Sequence, residues 1–317
     1  MNPIMFYKKI KNYKKGFLDV GNSHSIYYEL SGNPDGKPVL FLHGGPGVGF
    51  FYQDKQFFNP NIFNIITFDQ RGAGRSKPFG SLENNNTTLL VNDIKKLLTM
   101  LDIDRIFLFG GSWGSTLSLV YAIRNPKMVA AMVLRGIYLS SKEEEKYMFY
   151  DARHVFPEVW EEMIRLVPKN HRERILEYFY EMVLSKDTRI RSRYARAWET
   201  YETSISKLKY SKHEVNIFLK MIKYEASARI ELHYLANQCF IPKDYILRNV
   251  KKLKVIPVSI VHGRYDHVTS PFSAYTLHKK LPDSSLNYTI AGHSAYDTDT
   301  RRRLVKEMDK LGDSNLI

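Results

Sequence analysis

The chain has 317 residues, 44% hydrophobic and 25% charged, an ordinary balance for a globular protein able to bury a large core. No apolar run is long enough to span a bilayer, the basic start MNPIMFYKKIKNYKKGF lacks the apolar centre of a signal peptide, and a lone cysteine, Cys239, excludes an internal disulfide framework. The basic residues behind the net charge of +14 are interspersed with acidic ones and form no nucleic-acid-binding motif, so the expectation is a cytoplasmic protein with neither membrane nor nucleic-acid partner.

Ser25 to Leu30 and Pro38 to Leu42 read as strands, separated by the turn Asn33-Pro34-Asp35-Gly36. Asn64 to Phe68 is a further strand, followed by a glycine- and arginine-rich loop from Asp69 to Ser76. Polar residues 84–87 signal the start of a helix over Thr88 to Leu101. Ile103 to Phe109 is a short buried strand, Thr116 to Ile123 carries apolar residues at helical spacing, and Val129 to Leu134 is another buried strand. This alternation predicts an α/β fold with a mostly parallel sheet and helices on both faces. Between residues 139 and 250 glycine disappears, and charges interleave with aromatics and leucines at helical spacing, which predicts an inserted helical domain. The strand–turn style returns with Val255 to His262 and Ser285 to Ile290, and Asp297 to Leu311 reads as a closing helix. The expected organisation is one α/β domain, residues 1–138 and 251–317, interrupted by the helical domain 139–250.

The stretch LFGGSWGS at 108–115 sits where a strand must reverse into a helix. Gly110 and Gly114 leave room for a strained turn that projects the Ser112 hydroxyl at the strand end and aims the free N–H groups of the new helix at the same spot. A serine is a weak nucleophile until a base takes its proton, and that base needs an orienting carboxylate. In such a sheet both partners lie at the ends of later strands, acid before histidine. Gly263-Arg264-Tyr265-Asp266 ends one late strand and Ala291-Gly292-His293-Ser294 ends the next, so Asp266 and His293 complete the expected catalytic set with Ser112. Asp69 precedes the serine and reads as a loop organiser, while Asp297 and Asp299 belong to the final helix or its start. Acyl transfer also needs donors for an oxyanion. The Trp113 N–H is one, and the glycine-rich loop His43-Gly44-Gly45-Pro46-Gly47 offers the other, from Gly45 with Gly44 as the second choice. No HExxH and no zinc-type cysteine–histidine spacing appears, so neither metal nor other cofactor is expected.

HGGPG at 43–47, FDQRGAGRS at 68–76, FGGSWGS at 109–115, LRGIY at 134–138, GRYD at 263–266 and AGHS at 291–294 together resemble the prolyl aminopeptidases (proline iminopeptidases), serine peptidases of the α/β-hydrolase fold. The resemblance runs from about Gly16 to His293 and implies Ser112 as nucleophile, Asp266 as acid and His293 as base, acting on peptides with a free N-terminal proline. It also makes the helical insertion a cap over the site. Two cap segments, Ala195 to Glu202 and Ala228 to Tyr234, resemble family segments whose glutamates hold the substrate's α-ammonium, which implies that role for Glu202 and Glu231. Pairing of these carboxylates with cap arginines such as Arg196 and Arg229 is the competing expectation. Departures from the family pattern fall at Tyr201, Tyr138, Leu235, the segment Tyr150-Asp151-Ala152, and Ser270, all expected near the pocket for the proline ring. Two alternatives stand beside the peptidase reading: an esterase, lactonase or amino-acid amidase with the same machinery, and a non-catalytic binding protein on the same fold. No motif specifies an oligomeric state.

Overall fold

The chain opens with β1 (Asn12–Gly21), β2 (His24–Gly32), β3 (Lys37–Leu42) and β4 (Phe63–Phe68), then α1 (Thr87–Met100), β5 (Ile106–Gly111), α2 (Trp113–Arg124) and β6 (Val129–Arg135). It then leaves the sheet for α3 (Lys142–Phe149), α4 (Pro157–Ile164), α5 (Ile175–Val183), α6 (Thr188–Ile205), α7 (Lys212–Met221), α8 (Tyr224–Ala236) and α9 (Tyr245–Asn249). It returns through β7 (Val258–Gly263), α10 (Pro271–Lys280), β8 (Ser284–Thr289) and α11 (Thr298–Gly312). The computed structural model describes residues 6–8 and 10–317, so the N-terminal stretch read above for a signal peptide lies partly outside the described residues.

The eight strands form one sheet in the order β1-β2-β4-β3-β5-β6-β7-β8. β2 pairs antiparallel with β1 and β4, and every pairing from β4 to β8 is parallel. The central strands are apolar throughout because helices cover both faces: every residue of β5 is buried. On one face α1 and α2 pack with Leu40, Leu42, Leu108 and Leu134. On the other, α11 packs Leu304, Val305 and Met308 against Val39, Phe107 and Val133. The start signal before α1 works as a cap, since the Asn86 side chain accepts a hydrogen bond from Leu89 N–H at 3.0 Å.

The helices after β6 build a core of their own around Phe149, Phe179, Trp198 and Leu232. The end of this insertion packs downward instead: Ile230, Tyr234, Ile246 and Val250 join the core beneath the sheet's first face. β1 is an addition to the predicted elements. It is mostly exposed, pairs only with β2, and carries Lys14 and Lys15, the composition of an edge strand guarded against pairing with another chain.

Candidate active site

Ser112 stands between the end of β5 and the first turn of α2, with φ +57° and ψ −127°. A non-glycine residue held there costs about 1–3 kcal/mol, which the surrounding packing must supply. The flanking glycines are required by close approach. A Cβ at Gly110 would lie 2.2 Å from Gly114 O, and one at Gly114 would lie 2.0 Å from Leu42 O. The Ser112 N–H donates to Arg135 O on β6 at 2.9 Å, which ties the turn to the neighbouring strand.

Asp266 follows β7 and is wholly buried. Its Oδ1 accepts from Val268 and Thr269 N–H at 2.9 and 2.8 Å, and its Oδ2 from Thr269 Oγ1 at 2.9 Å and His293 Nδ1 at 2.7 Å. Burial alone would raise its pKa, but the charge and hydrogen bond of His293, then His262 and the Thr269 N–H, outweigh it and hold the carboxylate well below the usual range. His293 is also buried, and this burial keeps its pKa below the ordinary imidazole value despite the Asp266 charge. With Nδ1 committed to Asp266, Nε2 is left as the acceptor, and His293 and Ser112 line the same cavity. A second histidine, His262, has Nε2 within 3.5 Å of Asp266 Oδ2. Its Nδ1 accepts from Ile137 N–H and its Nε2 donates to Thr269 O, so it braces the loop and has no free nitrogen.

The backbone of His293 is held from two sides. Its N–H donates to Ser206 O at the end of α6, 2.9 Å, and Arg135 Nη1 donates to its carbonyl at 2.7 Å. Asp297 and Asp299, expected in or before the last helix, also accept from Gly292 and Ile290 N–H, 2.9 and 2.8 Å, and so pin the loop that carries the histidine. Asp69 organises its own loop, accepting from Phe50 N–H, Arg75 N–H and the Arg75 guanidinium.

Gly45 and Trp113 both flank Ser112, and among the described residues neither N–H has a partner within the chain. Gly45 has φ +37°, and a Cβ at Gly44 would lie 2.9 Å from Gly111 O and 3.2 Å from Ser112 Cβ. Gln70, absent from the sequence-derived set, couples the two donors. It donates through Nε2 to His43 O at 2.9 Å and accepts from Trp113 Nε1 at 2.7 Å, while its N–H donates to His43 Nε2 at 3.0 Å. No spacing rule marks a glutamine in this role; only the loop around it did.

Above Ser112 the insertion lowers acidic side chains from α6 and α8. Glu231 is buried, its Oε2 accepting from Trp198 Nε1 at 2.7 Å. Glu202 opens toward both Glu231 and the serine. A third carboxylate, Glu199, is only 1% exposed, and its Oε1 has no hydrogen-bond partner. Burial pushes all three pKa values up, and the neighbouring charge of Glu231 adds to the shift at Glu199 and Glu202. Among the described residues no lysine, arginine or histidine forms an ion pair with any of them, so the expected alternative of pairing with Arg196 or Arg229 is not what the structure has. Glu199 is absent from the sequence-derived set, although residues 199, 202, 203 and 206 fall on one helical face and share one cavity.

Two recesses meet at Ser112, Gly45 and Glu202. One is small and apolar, formed by Tyr138, Met148, Leu235, Cys239 and Val268, with Glu231 at its wall. The other is a cavity of about 440 Å³ reaching from His293 and Arg135 to Phe51, Lys207 and Phe218. Of the departures expected around the first recess, Tyr138 and Leu235 line it, and Tyr201 supports it by donating to Met148 O at 2.5 Å. Asp151 instead pairs with Lys146, Ser270 caps α10, and the Tyr150 hydroxyl faces the start of α5, so these do not form its wall. Cys239 is buried and forms part of this wall.

A profile of the alpha/beta hydrolase fold matches residues 37–300. A protein of Leptolyngbya boryana named "Probable proline iminopeptidase" is 43% identical over 308 residues, covering 96% of each chain. The proline iminopeptidase of Arabidopsis thaliana is 41% identical over 316 residues, 98% of this chain and 83% of the relative. Among solved structures, an esterase from Exiguobacterium antarcticum superposes with a TM-score of 0.66 at 17% identity, over 95% of this chain and 100% of the esterase, a likeness of fold.

Proposed function

The chain belongs to the proline iminopeptidases of the α/β-hydrolase fold, and from that premise we propose which of its residues carry the release of N-terminal proline from peptides. His293 Nε2 takes the proton of Ser112, whose Oγ attacks the carbonyl of the first residue. Asp266 fixes the imidazole tautomer and stabilises the imidazolium that forms. The N–H groups of Gly45 and Trp113 receive the oxyanion, held in place by Gln70. His293 then protonates the leaving amine, and water, activated by the same histidine, hydrolyses the prolyl ester of Ser112. Nothing in this sequence of steps calls on a metal or other cofactor.

Exopeptidase selectivity comes from Glu202 and Glu231. Unpaired buried carboxylates are costly unless they hold protons or meet a cation. The secondary ammonium of an N-terminal proline is such a cation, placed beside the apolar recess of Tyr138, Met148 and Leu235 that suits its ring. An internal peptide bond carries no charge to offer there. Among the described residues neither Glu231 nor Glu202 has an ion-pair partner, and that is the observation that carries this reading. On the same reading residues 139–250 act as a cap on a catalytic domain of 1–138 and 251–317, and the enzyme works in the cytoplasm on small peptides, with no nucleic-acid or membrane partner.

A substrate panel tests it. Prolyl-β-naphthylamide should be cleaved faster than alanyl-β-naphthylamide, with p-nitrophenyl acetate a poor third in kcat/KM, and a fluorophosphonate should label Ser112 but not a Ser112→Ala variant. Ester turnover without prolyl-amide cleavage would keep the nucleophile and reject the selectivity.

A further inference from the structure

The two recesses divide the glutamates between them. Glu231 faces only the apolar recess, Glu202 faces both, and Glu199 faces only the larger cavity. Ser112 and Gly45 stand at the junction, so the bond being cleaved lies there. With the proline ring in the apolar recess, the residue that leaves must enter the cavity of about 440 Å³, which has room for a long side chain.

Glu199 is therefore beyond the reach of the ammonium clamp's own substrate group and on the path of the leaving residue. Among the described residues its Oε1 is buried without a hydrogen-bond partner. Asp54, a further carboxyl group of the cavity, differs in being satisfied: its Oδ1 accepts from Tyr296 Oη at 2.5 Å and its Oδ2 from Phe51 N–H at 2.7 Å. The cavity's cations do not neutralise Glu199 either. Arg135 is committed to His293 O and acts on Asp266 and Asp54, and Lys207 forms no ion pair with it. A carboxyl oxygen left without a partner, on a residue that lines a substrate cavity, is suited to a donor that arrives with the substrate.

We propose that Glu199 is a specificity residue for the position after the cleaved bond, receiving the cationic end of a lysine or arginine side chain on the residue that leaves. The proposal rests on the reading of Ser112 as nucleophile and of the apolar recess as the proline site. The consequence is a preference for prolyl peptides with a basic second residue over those whose second residue has an uncharged chain of the same length.

The test compares kcat/KM for prolyl-lysinamide, prolyl-(Nε-acetyl)lysinamide and prolyl-norleucinamide, whose amide ends remove any C-terminal carboxylate. The wild-type enzyme should favour the lysine peptide by about tenfold over both neutral ones, and in Glu199→Gln that ratio should fall toward one. The ratio within each enzyme is the readout, so a general loss of rate does not mimic the effect. If Glu199→Gln does not fold, Glu199→Asp, one methylene shorter, must still lower the ratio. A wild-type ratio near or below one, or a ratio that survives the substitution, overturns the role of Glu199 alone. Failure to cleave any of the three would instead overturn the peptidase reading on which it stands.

Discussion

The floor and the roof of the site are built on opposite terms. On the floor, formed by the ends of β5, β7 and β8, Asp266 accepts four short hydrogen bonds, His262 has both nitrogens engaged, and Gln70 links three groups at once. On the roof, Glu199 and Glu202 face the like charge of Glu231, and among the described residues Glu231 has only Trp198 Nε1 and the neighbouring Glu202 carboxyl as hydrogen-bond partners. A satisfied network is rigid and holds reacting atoms in register; an unsatisfied one stores affinity for a missing charge. On the proposed reading the difference separates two tasks: the floor performs the chemistry, and the roof selects which molecule undergoes it. They meet where the His293 and Ser294 N–H groups both donate to Ser206 O, which joins the loop of His293 to the helix that carries Glu199 and Glu202, and where Tyr147 Oη donates to Asp266 O.

The largest effects should come from breaking the floor. Ser112→Ala is expected to lower kcat on prolyl-β-naphthylamide by about a millionfold without loss of thermal stability, since it relieves no packing and removes no buried bond. Asp266→Asn should cost about 10,000-fold in kcat while KM changes little, because the amide favours the wrong imidazole tautomer. Both are measured by steady-state kinetics alongside a melting curve. Breaking the roof should look different. Glu231→Gln or Glu202→Gln should lower kcat/KM for the free prolyl amide by about 100-fold, with a much smaller loss on p-nitrophenyl acetate, which has no ammonium group to hold. Equal losses on both substrates would assign these residues to the floor instead.

The seam between the two regions can be tested separately. A Cβ on Gly292 would lie 2.8 Å from both Ser206 O and Leu208 N, so Gly292→Ala must push the cap segment and the His293 loop apart. It should cost about 1–3 kcal/mol of stability in denaturant unfolding, and lower kcat more than it raises KM. The smallest effect is a displacement of the pH profile. His293 acts as a base only when neutral, and burial holds its pKa below the ordinary imidazole value of about 6.5. The acid limb of kcat should therefore fall below that value, with activity flat from there to neutral pH. A limb above it would mean that the Asp266 charge outweighs burial at this histidine.

Much of the floor was legible in the sequence because it depends on order and on local sterics. Glycines around Ser112, and an acid and a histidine each directly after a late strand, are patterns that a one-dimensional reading can hold. The inner strands β3 to β7 carry most of their apolar residues in short buried runs, since helices cover both faces there. β1 was missed because an edge strand with Lys14, Lys15 and an exposed Phe17 shows little of that signal. α10 was missed as well: its Phe272 and Tyr275 are exposed and its apolar stripe is narrow. On the roof, Glu202 and Glu231 were reached only through family resemblance, and Glu199 not at all. Whether a helical glutamate is solvated, paired or waiting depends on what lies across from it, which in this chain is another helix some 30 residues away, holding Ser227 and Glu231. Ser206 acts through its carbonyl, and Gln70 through an amide side chain that reaches a backbone carbonyl and an indole, neither of which the sequence marks.

The most direct test of the division between floor and roof compares kcat/KM for prolyl-β-naphthylamide and N-acetyl-prolyl-β-naphthylamide on the unmodified protein. Acetylation removes the positive charge while leaving the scissile bond as it was. A preference of about 1,000-fold for the free amine is the predicted result. Comparable cleavage of both would contradict the account, because the buried carboxylates above Ser112 would then have no part in choosing the substrate.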